Sequence, residues 1–214
     1  MLILHGISAS PFVRKVLTVL HLKGLAFEQR PQMPFDRESD YRKINPLGKI
    51  PSLQDGDFTI CDSSVICEYL DDAYPDIPVY PTSATEKAHA RWLEELSDNQ
   101  VTEYATGIFF QRFMRPRVFK QPPNEELIEK LITVKLPPLL DYLESQVPAK
   151  DFLFGSSLGA TDIAVASPFI NASYAGYLVD ATQWPGLASF IDRVRSHPVV
   201  ASLLEVEAAM LPKA

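Results

Sequence analysis

The sequence predicts an α/β domain followed by an all-helical domain. Three observations carry this. Short apolar stretches of strand length fall in the first third of the chain, around one helical pattern. Tyr74–Thr85, Y-P-D-I-P-V-Y-P-T-S-A-T, holds three prolines and no helical period, and reads as an interdomain linker. Every periodic segment beyond it repeats at helical spacing. The expected domains are residues 1–78 and 86–214.

In chain order, Leu2–His5 is a short apolar strand and Gly6–Ser10 a loop of small residues. Pro11 suits the first position of a helix, where its missing N–H is not needed. Val13, Val16, Leu17 and Leu20 form one apolar face, and Lys23-Gly24 supplies a cation and a glycine at the helix end. Phe27–Arg30 is a second strand, and a short helix is expected near Asp36–Lys43. Ser52–Gln54 and Phe58–Cys61 are strands joined by an Asp55-Gly56 turn. Asp62 and Ser63 stand where a helix begins, with Val65, Ile66, Tyr69, Leu70 and Ala73 following at helical spacing. The βαβ then ββα order, with a right-handed crossover, is the plan of a thioredoxin-like domain.

In the second domain, Ala88, Trp92 and Leu96 share a helix face, and Leu127, Leu131 and Val134 open another helix. Pro137-Pro138 interrupts that pattern, so a kink or break is expected there. Ile163–Ile170 is apolar nearly all round and is the expected buried axis. Leu187, Phe190, Ile191 and Val194 make an amphipathic stripe, and Val199, Val200, Leu203 and Leu204 a last helix.

A chain of 214 residues can bury a sizeable core, and 46% hydrophobic with 22% charged residues is ordinary for a globular protein. A net charge of −7 argues against nonspecific nucleic-acid binding. The amino end runs straight into a strand and helix rather than a signal peptide, and no apolar run reaches membrane-spanning length. The chain's two cysteines, Cys61 and Cys67, are expected to be reduced, buried thiols in a cytoplasmic protein. Their spacing without a nearby histidine is a poor metal site, and no metal is expected.

Several residues can carry chemistry. Ile50-Pro51 places a proline at the mouth of a strand, and a cis bond there would present the Ile50 main chain to a ligand. Asp62-Ser63 offers a hydroxyl and a helix N-terminus, a seat for a carboxylate, or simply a cap. Ser10 lies at the head of the first helix. Its hydroxyl either caps that helix or donates to a thiolate favoured by the helix dipole. Ser8 is the alternative. Tyr104, Phe109, Phe110, Phe113 and Met114 form an aromatic patch, either core or the wall of an apolar pocket. Arg112, Arg115, Arg117 and Lys120 read as a solvated or subunit-facing edge.

The segments N-P-L-G-K-I-P-S-L over 45–53 and D-S-S-V-I-C-E-Y-L over 62–70 resemble the glutathione site of cytosolic glutathione S-transferases. The likeness extends over nearly the whole chain and is closest to bacterial, serine-type, theta- or zeta-like members. The usual acidic residue before the serine is Glu; here it is Asp62. The resemblance implies a thioredoxin-like domain followed by a helical one, glutathione as co-substrate and Ser10 as the catalytic serine. Ile50, with Pro51, would hold the cysteinyl segment, and Asp62 and Ser63 the γ-glutamyl end; Lys49 either reaches the glycyl carboxylate or is a solvated surface lysine. A hydrophobic electrophile would lie against Phe12, Tyr104, Phe109 and Phe113. It also implies a homodimer, with Glu68–Asp72 and part of Ala88–Tyr104 near the interface. The rivals are a non-catalytic binding module of the same fold and a glutathione-dependent isomerase. The zeta loop S-S-C-x-x-R-V-R differs from S-P-F-V-R-K-V here. The family's central helix starts with Ser or Thr three residues before Asp; here Gly159 precedes Asp162.

Overall fold

Four strands of four residues each make the sheet: β1 (Leu2–His5), β2 (Phe27–Arg30), β3 (Ser52–Asp55) and β4 (Phe58–Cys61). They come from a computed structural model that describes residues 1–36 and 40–210. The strand order is β2-β1-β3-β4. β1 and β2 are parallel and joined through α1 (Pro11–Leu22), while β3 is antiparallel to both β1 and β4. Parallel neighbours need such a helical crossover, and antiparallel ones need only a hairpin. The hairpin differs by one residue from the expected Asp55-Gly56 turn. Asp55 stays in the ladder opposite Phe58, and the loop is Gly56–Asp57 with Gly56 at φ 58°. Asp55 is held there because the hydroxyls of Tyr69 and Tyr74 both donate to its Oδ2, at 2.9 and 2.6 Å. A 3-10 turn covers Asp40–Lys43; the part of the expected helix over 37–39 lies outside the described residues.

α1 starts on Ser10 and ends at Lys23, with Gly24 at φ 62°. Its burial is wider than the single apolar face expected: Val13 through Leu20 are all buried, including Arg14, Lys15 and Thr18. The sheet covers one side, and α8 (Ala160–Ser173) and α10 (Pro198–Met210) pack on the other. α2 (Ser63–Ala73) completes the first domain. The linker that follows is pinned from below. Lys23 Nζ donates to Asp71 and to the Tyr74 and Ile77 carbonyls, and Asp71 also accepts from the Val79 N–H.

The second domain opens with one long rod: α3 (Ala84–Leu96), a π turn at Ser97–Val101, α4 (Thr102–Phe109), a π turn at Phe110–Met114, and α5 (Arg115–Arg117). Pro116 has no N–H to offer the Arg112 carbonyl, which accepts from Arg117 Nη1 at 3.4 Å instead. The face shared by Ala88 and Trp92 is turned outward: both are exposed, while Ala90, Leu93 and Glu94 are buried. Trp92 instead gives its indole N–H to the Tyr142 hydroxyl. Next come α6 (Glu125–Lys130), a π turn at Leu131–Lys135 and α7 (Pro137–Gln146), so the expected break falls at Leu136 and Pro137 starts the new helix. Ile128 and Leu131 face the core there, not Leu127 and Val134. α8 is the expected axis, buried from Ala160 to Ala172. α9 (Pro185–Ser196) buries the predicted stripe of Leu187, Phe190, Ile191 and Val194. Two core clusters result, and Ala160 and Leu203 of the helical domain belong to the one around Leu4, Val16, Leu53 and Ile66.

The N-cap of α8 explains its glycine. A Cβ on Gly159 would stand 2.7 Å from the Val79 carbonyl oxygen, which accepts from Ala160 N. The linker therefore excludes Ser and Thr. Asp162 accepts from the Gly159 and Leu153 N–H groups, both at 2.8 Å. Burial nevertheless raises its pKa to about 7. The folded chain thus keeps a proton that the unfolded chain releases near the ordinary carboxylate value. By linkage this group's contribution to stability is greatest in acid and declines as pH rises from about 4 to about 7. Asp162→Asn cannot titrate, so the excess melting temperature of the native chain over this variant should narrow across that window. A gap that widened with pH in thermal melts would reverse the assignment.

Candidate active site

The strand register gathers the site at one end of the sheet. His5, Ser52 and Cys61 lie side by side across β1, β3 and β4. Beyond that row, β1 leads into the Gly6–Ser10 loop, Ile50-Pro51 leads into β3, and β4 leads into Asp62-Ser63. Gly6 marks the closest approach. At φ 151°, a Cβ there would stand 2.5 Å from Val13 Cγ2 and 3.5 Å from Ile50 Cβ.

The Ile50-Pro51 bond is cis. The peptide before it is also oriented. The Lys49 carbonyl accepts from the Tyr41 hydroxyl at 2.9 Å and from Asn45 Nδ2 at 2.7 Å. In a trans peptide the C=O and the following N–H point opposite ways. Fixing the Lys49 oxygen inward therefore directs the Ile50 N–H away from those residues. Tyr41 continues to Ser52 Oγ at 2.5 Å, and Ser52 to Cys61 Sγ at 3.3 Å. This chain ties the strand entry to the residue before Asp62. The sequence reading missed it; an aromatic hydroxyl in the polar segment ahead of N-P-L-G was the available signal. Lys49 is exposed. Cys61 is only half-buried, contrary to expectation, whereas Cys67 is fully buried and its thiol pKa is pushed up by that burial.

Asp62 caps α2 through Oδ1, which accepts from Ser64 N at 3.0 Å and Val65 N at 3.3 Å. Its backbone, φ 77° and ψ 130°, lies where non-glycine residues are strained by about 1–3 kcal/mol. Such a conformation persists where the surroundings over-determine it, and here they do. Ser63, the first residue of α2, is buried, and its hydroxyl bonds no described residue. Ser64 is tied into the helical domain: its Oγ donates to Asp98 Oδ2 at 2.9 Å and accepts from Lys15 Nζ at 2.8 Å. Lys15 pairs with Asp98 at 2.5 Å and Glu94 at 3.6 Å. Burial opposes its charge, but the Asp98 and Glu94 carboxylates outweigh it and hold its pKa above the ordinary value. Glu94 is shifted upward by burial, against the Lys15 charge, and accepts from Tyr80 and Thr161.

Of the two loop serines, Ser8 is 4% exposed and accepts from Gln29 Nε2 at 3.1 Å. Ser10 is partly exposed, and its Oγ accepts only a long bond from Val13 N, 3.5 Å. No described residue takes its hydroxyl proton. Phe12 is partly buried on the first turn of α1. Phe109 and Phe113 stack with centroids 5.0 Å apart, and Phe109 meets the edge of Tyr174 at the end of α8. Arg117 lies 4.4 Å over the Phe113 ring. The Tyr104 hydroxyl donates to Gln100 Oε1, and Lys135 lies over its ring. Among the described residues no group of His, Cys, Asp or Glu is placed to hold a metal ion, and no helix is long and apolar enough to cross a membrane.

This geometry can bind an extended peptide along the Ile50 edge, seat a carboxylate at the head of α2, and set a hydroxyl against a thiol at the head of α1. The comparisons with known proteins agree in family. The glutathione S-transferase N-terminal domain model matches residues 4–78, and the C-terminal domain model matches 87–193. Glutathione S-transferase U1 of Arabidopsis thaliana is 31% identical, over 79% of this chain and 71% of that protein. Protein LigF of Sphingobium is 27% identical, over 89% of this chain and 88% of that protein. A solved glutathione S-transferase from Rhodospirillum rubrum superposes with a TM-score of 0.82 at 26% identity, covering 95% of this chain and 92% of that one. With a thioredoxin-like first domain and a helical second one, the chain belongs to the glutathione S-transferase family.

Proposed function

We propose that the protein is a glutathione transferase that joins the glutathione thiolate to a hydrophobic electrophile. The observation that carries this reading is the convergence, at one sheet end, of the Ser10 loop, the cis Ile50-Pro51 bond and the Asp62-Ser63 helix start. In this reading the Ile50 main chain pairs with the cysteinyl residue of glutathione. Asp62 and Ser63 take the γ-glutamyl group, Lys49 takes the glycyl carboxylate, and Ser10 stabilises the thiolate. Phe109 and Phe113, with Phe12 and Tyr104, wall the electrophile's side. The deciding experiment is a panel of aromatic and alkyl electrophiles assayed with and without glutathione. Glutathione-dependent consumption supports the proposal. Retention on immobilised glutathione with no turnover would favour a binding module, and isomerisation with glutathione recovered unchanged would favour the isomerase.

Ser63→Ala separates binding from chemistry. A hydrogen bond to a charged group contributes about 1.5–3 kcal/mol, so KM for glutathione should rise roughly tenfold or more. Because the lost bond is made equally before and during reaction, kcat should hold. An unchanged KM in steady-state kinetics would remove Ser63 from the glutathione site.

The same reading includes a homodimer. Glu68 and Arg91 form an exposed ion pair beside the half-exposed Trp92, within the two segments expected at the interface. Light scattering at micromolar concentration should return twice the chain mass; the monomer mass would contradict it.

A further inference from the structure

Asn171, near the end of α8 in the helical domain, is 2% exposed and turns both ends of its amide to the first domain. Its Nδ2 donates to the Ala9 carbonyl at 2.9 Å, and its Oδ1 accepts from Arg14 Nη1 at 2.9 Å. The assignment of amide oxygen and nitrogen is forced, because a guanidinium can only donate and a carbonyl can only accept. Arg14 is itself immobilised. Nη1 also reaches the Ser167 carbonyl at 3.2 Å, and Nε and Nη2 fork onto Glu207 at 2.8 and 2.6 Å. Glu207 accepts in turn from the Tyr174 hydroxyl, whose ring meets Phe109.

The Ala9 carbonyl belongs to the peptide unit that leads into Ser10. The other end of that unit, the Ser10 N–H, donates to the Ile7 carbonyl at 3.1 Å. One clamp is therefore local to the loop, and the other comes from a residue 162 positions away in the helical domain. Together they fix the peptide plane from which the Ser10 side chain projects. We infer that Asn171 is a positioning residue for thiol activation. By holding the Ala9–Ser10 peptide, it aims the Ser10 hydroxyl at the glutathione sulfur and makes that aim depend on the docking of the helical domain. This rests on the reading of Ser10 given above. It accounts for a buried polar cluster that packing alone does not require, since apolar side chains of similar volume would join α1 to α8 as well.

The test titrates the thiol of glutathione bound to the whole protein, followed by thiolate ultraviolet absorbance against pH, and needs no electrophile. Asn171→Ala should lower the thiolate fraction at neutral pH roughly three- to tenfold, the scale of a misaligned catalytic group, with glutathione affinity, measured in acid where the thiol stays protonated, within about twofold. Ser10→Ala should lower it at least as much. The double variant should resemble Ser10→Ala alone, because an aim that has no hydroxyl cannot be spoiled further. If Asn171→Ala does not fold, Asn171→Asp serves. It keeps the acceptor for Arg14 and replaces the donor to Ala9 by a carboxylate oxygen. Glu144→Gln is the control for general destabilisation: Glu144 holds the Gly186 and Leu187 N–H groups at the start of α9, away from the loop, and the thiol titration should not move. An Asn171 variant with a native titration, or one whose effect adds in full to that of Ser10→Ala, overturns the inference while leaving Ser10 in place. A native titration in Ser10→Ala itself overturns both.

Discussion

Replacing Ser10 by Ala should reduce turnover at neutral pH by roughly ten- to a thousandfold, the range expected for one donor aimed at negative charge in a site, with little change in glutathione affinity. A free thiol ionises near pH 8.5, and lowering that value by about two units takes about 2.7 kcal/mol of preferential thiolate binding. A charge-assisted hydrogen bond and the N-terminal end of α1 together reach that magnitude. Ser10 is disposed for it. Its Oγ accepts a long cap contact, 3.5 Å from Val13 N, and its hydroxyl proton goes to no described residue. The weak cap also means that Ser10→Ala should cost little stability, toward the low end of the usual 0.5–2 kcal/mol. The loss of rate should shrink as pH rises, since the thiol then ionises without help. Ser8 is the built-in comparison: buried and engaged by Gln29, it should matter less. If Ser8→Ala abolishes turnover while Ser10→Ala retains it in pH-dependent kinetics, the thiol lies two residues from where this reading puts it.

What the sequence disclosed is what neighbouring residues decide. Asp62 at the head of an apolar period, Pro11 after a serine, and the break at Pro137 each follow from groups within one helical turn, and each stands where the pattern put it. The site's outline was legible for the same reason, since Ile50-Pro51 and Asp62-Ser63 flank a single hairpin. What holds the site was not legible. Arg14 and Lys15 are adjacent cations on α1, and their partners Asp98, Glu94 and Glu207 lie 79 to 193 residues away. One signal was present. α1 carries apolar residues on nearly every side, so two adjacent charges within it had to be paired. Trp92 misled in the opposite direction. Helical spacing put it in line with Ala88 and Leu96, but the face one residue further on carries Leu93 and Glu94, and Glu94 is drawn inward by Lys15, Tyr80 and Thr161. Periodicity finds a stripe; it does not say which of two stripes meets a buried ion pair.

Glu207→Ala should lower stability by about 3–5 kcal/mol, because it leaves a guanidinium buried without its counter-charge. Both side chains of the pair are 0% exposed, and two parallel bonds join them. Asn171 and the Ser167 carbonyl still accept from Nη1, but neither carries charge. In a chain of this size each kcal/mol moves the melting temperature by about 2–4 °C, so a drop of roughly 10 °C is expected. The exposed Glu28–Arg30 pair sets the contrast. It has similar distances, with about half of each side chain in water, and Glu28→Ala should unfold close to the native chain. Removing both members of the buried pair, as Arg14→Met with Glu207→Leu, should recover most of what Glu207→Ala loses, since no charge then remains to be solvated. Urea unfolding of the four proteins measures this directly. A Glu207→Ala variant within about 1 kcal/mol of native, or a double variant worse than the single, would mean that water or rearrangement reaches Arg14. The junction between α1, α8 and α10 would then be looser than its hydrogen bonds require.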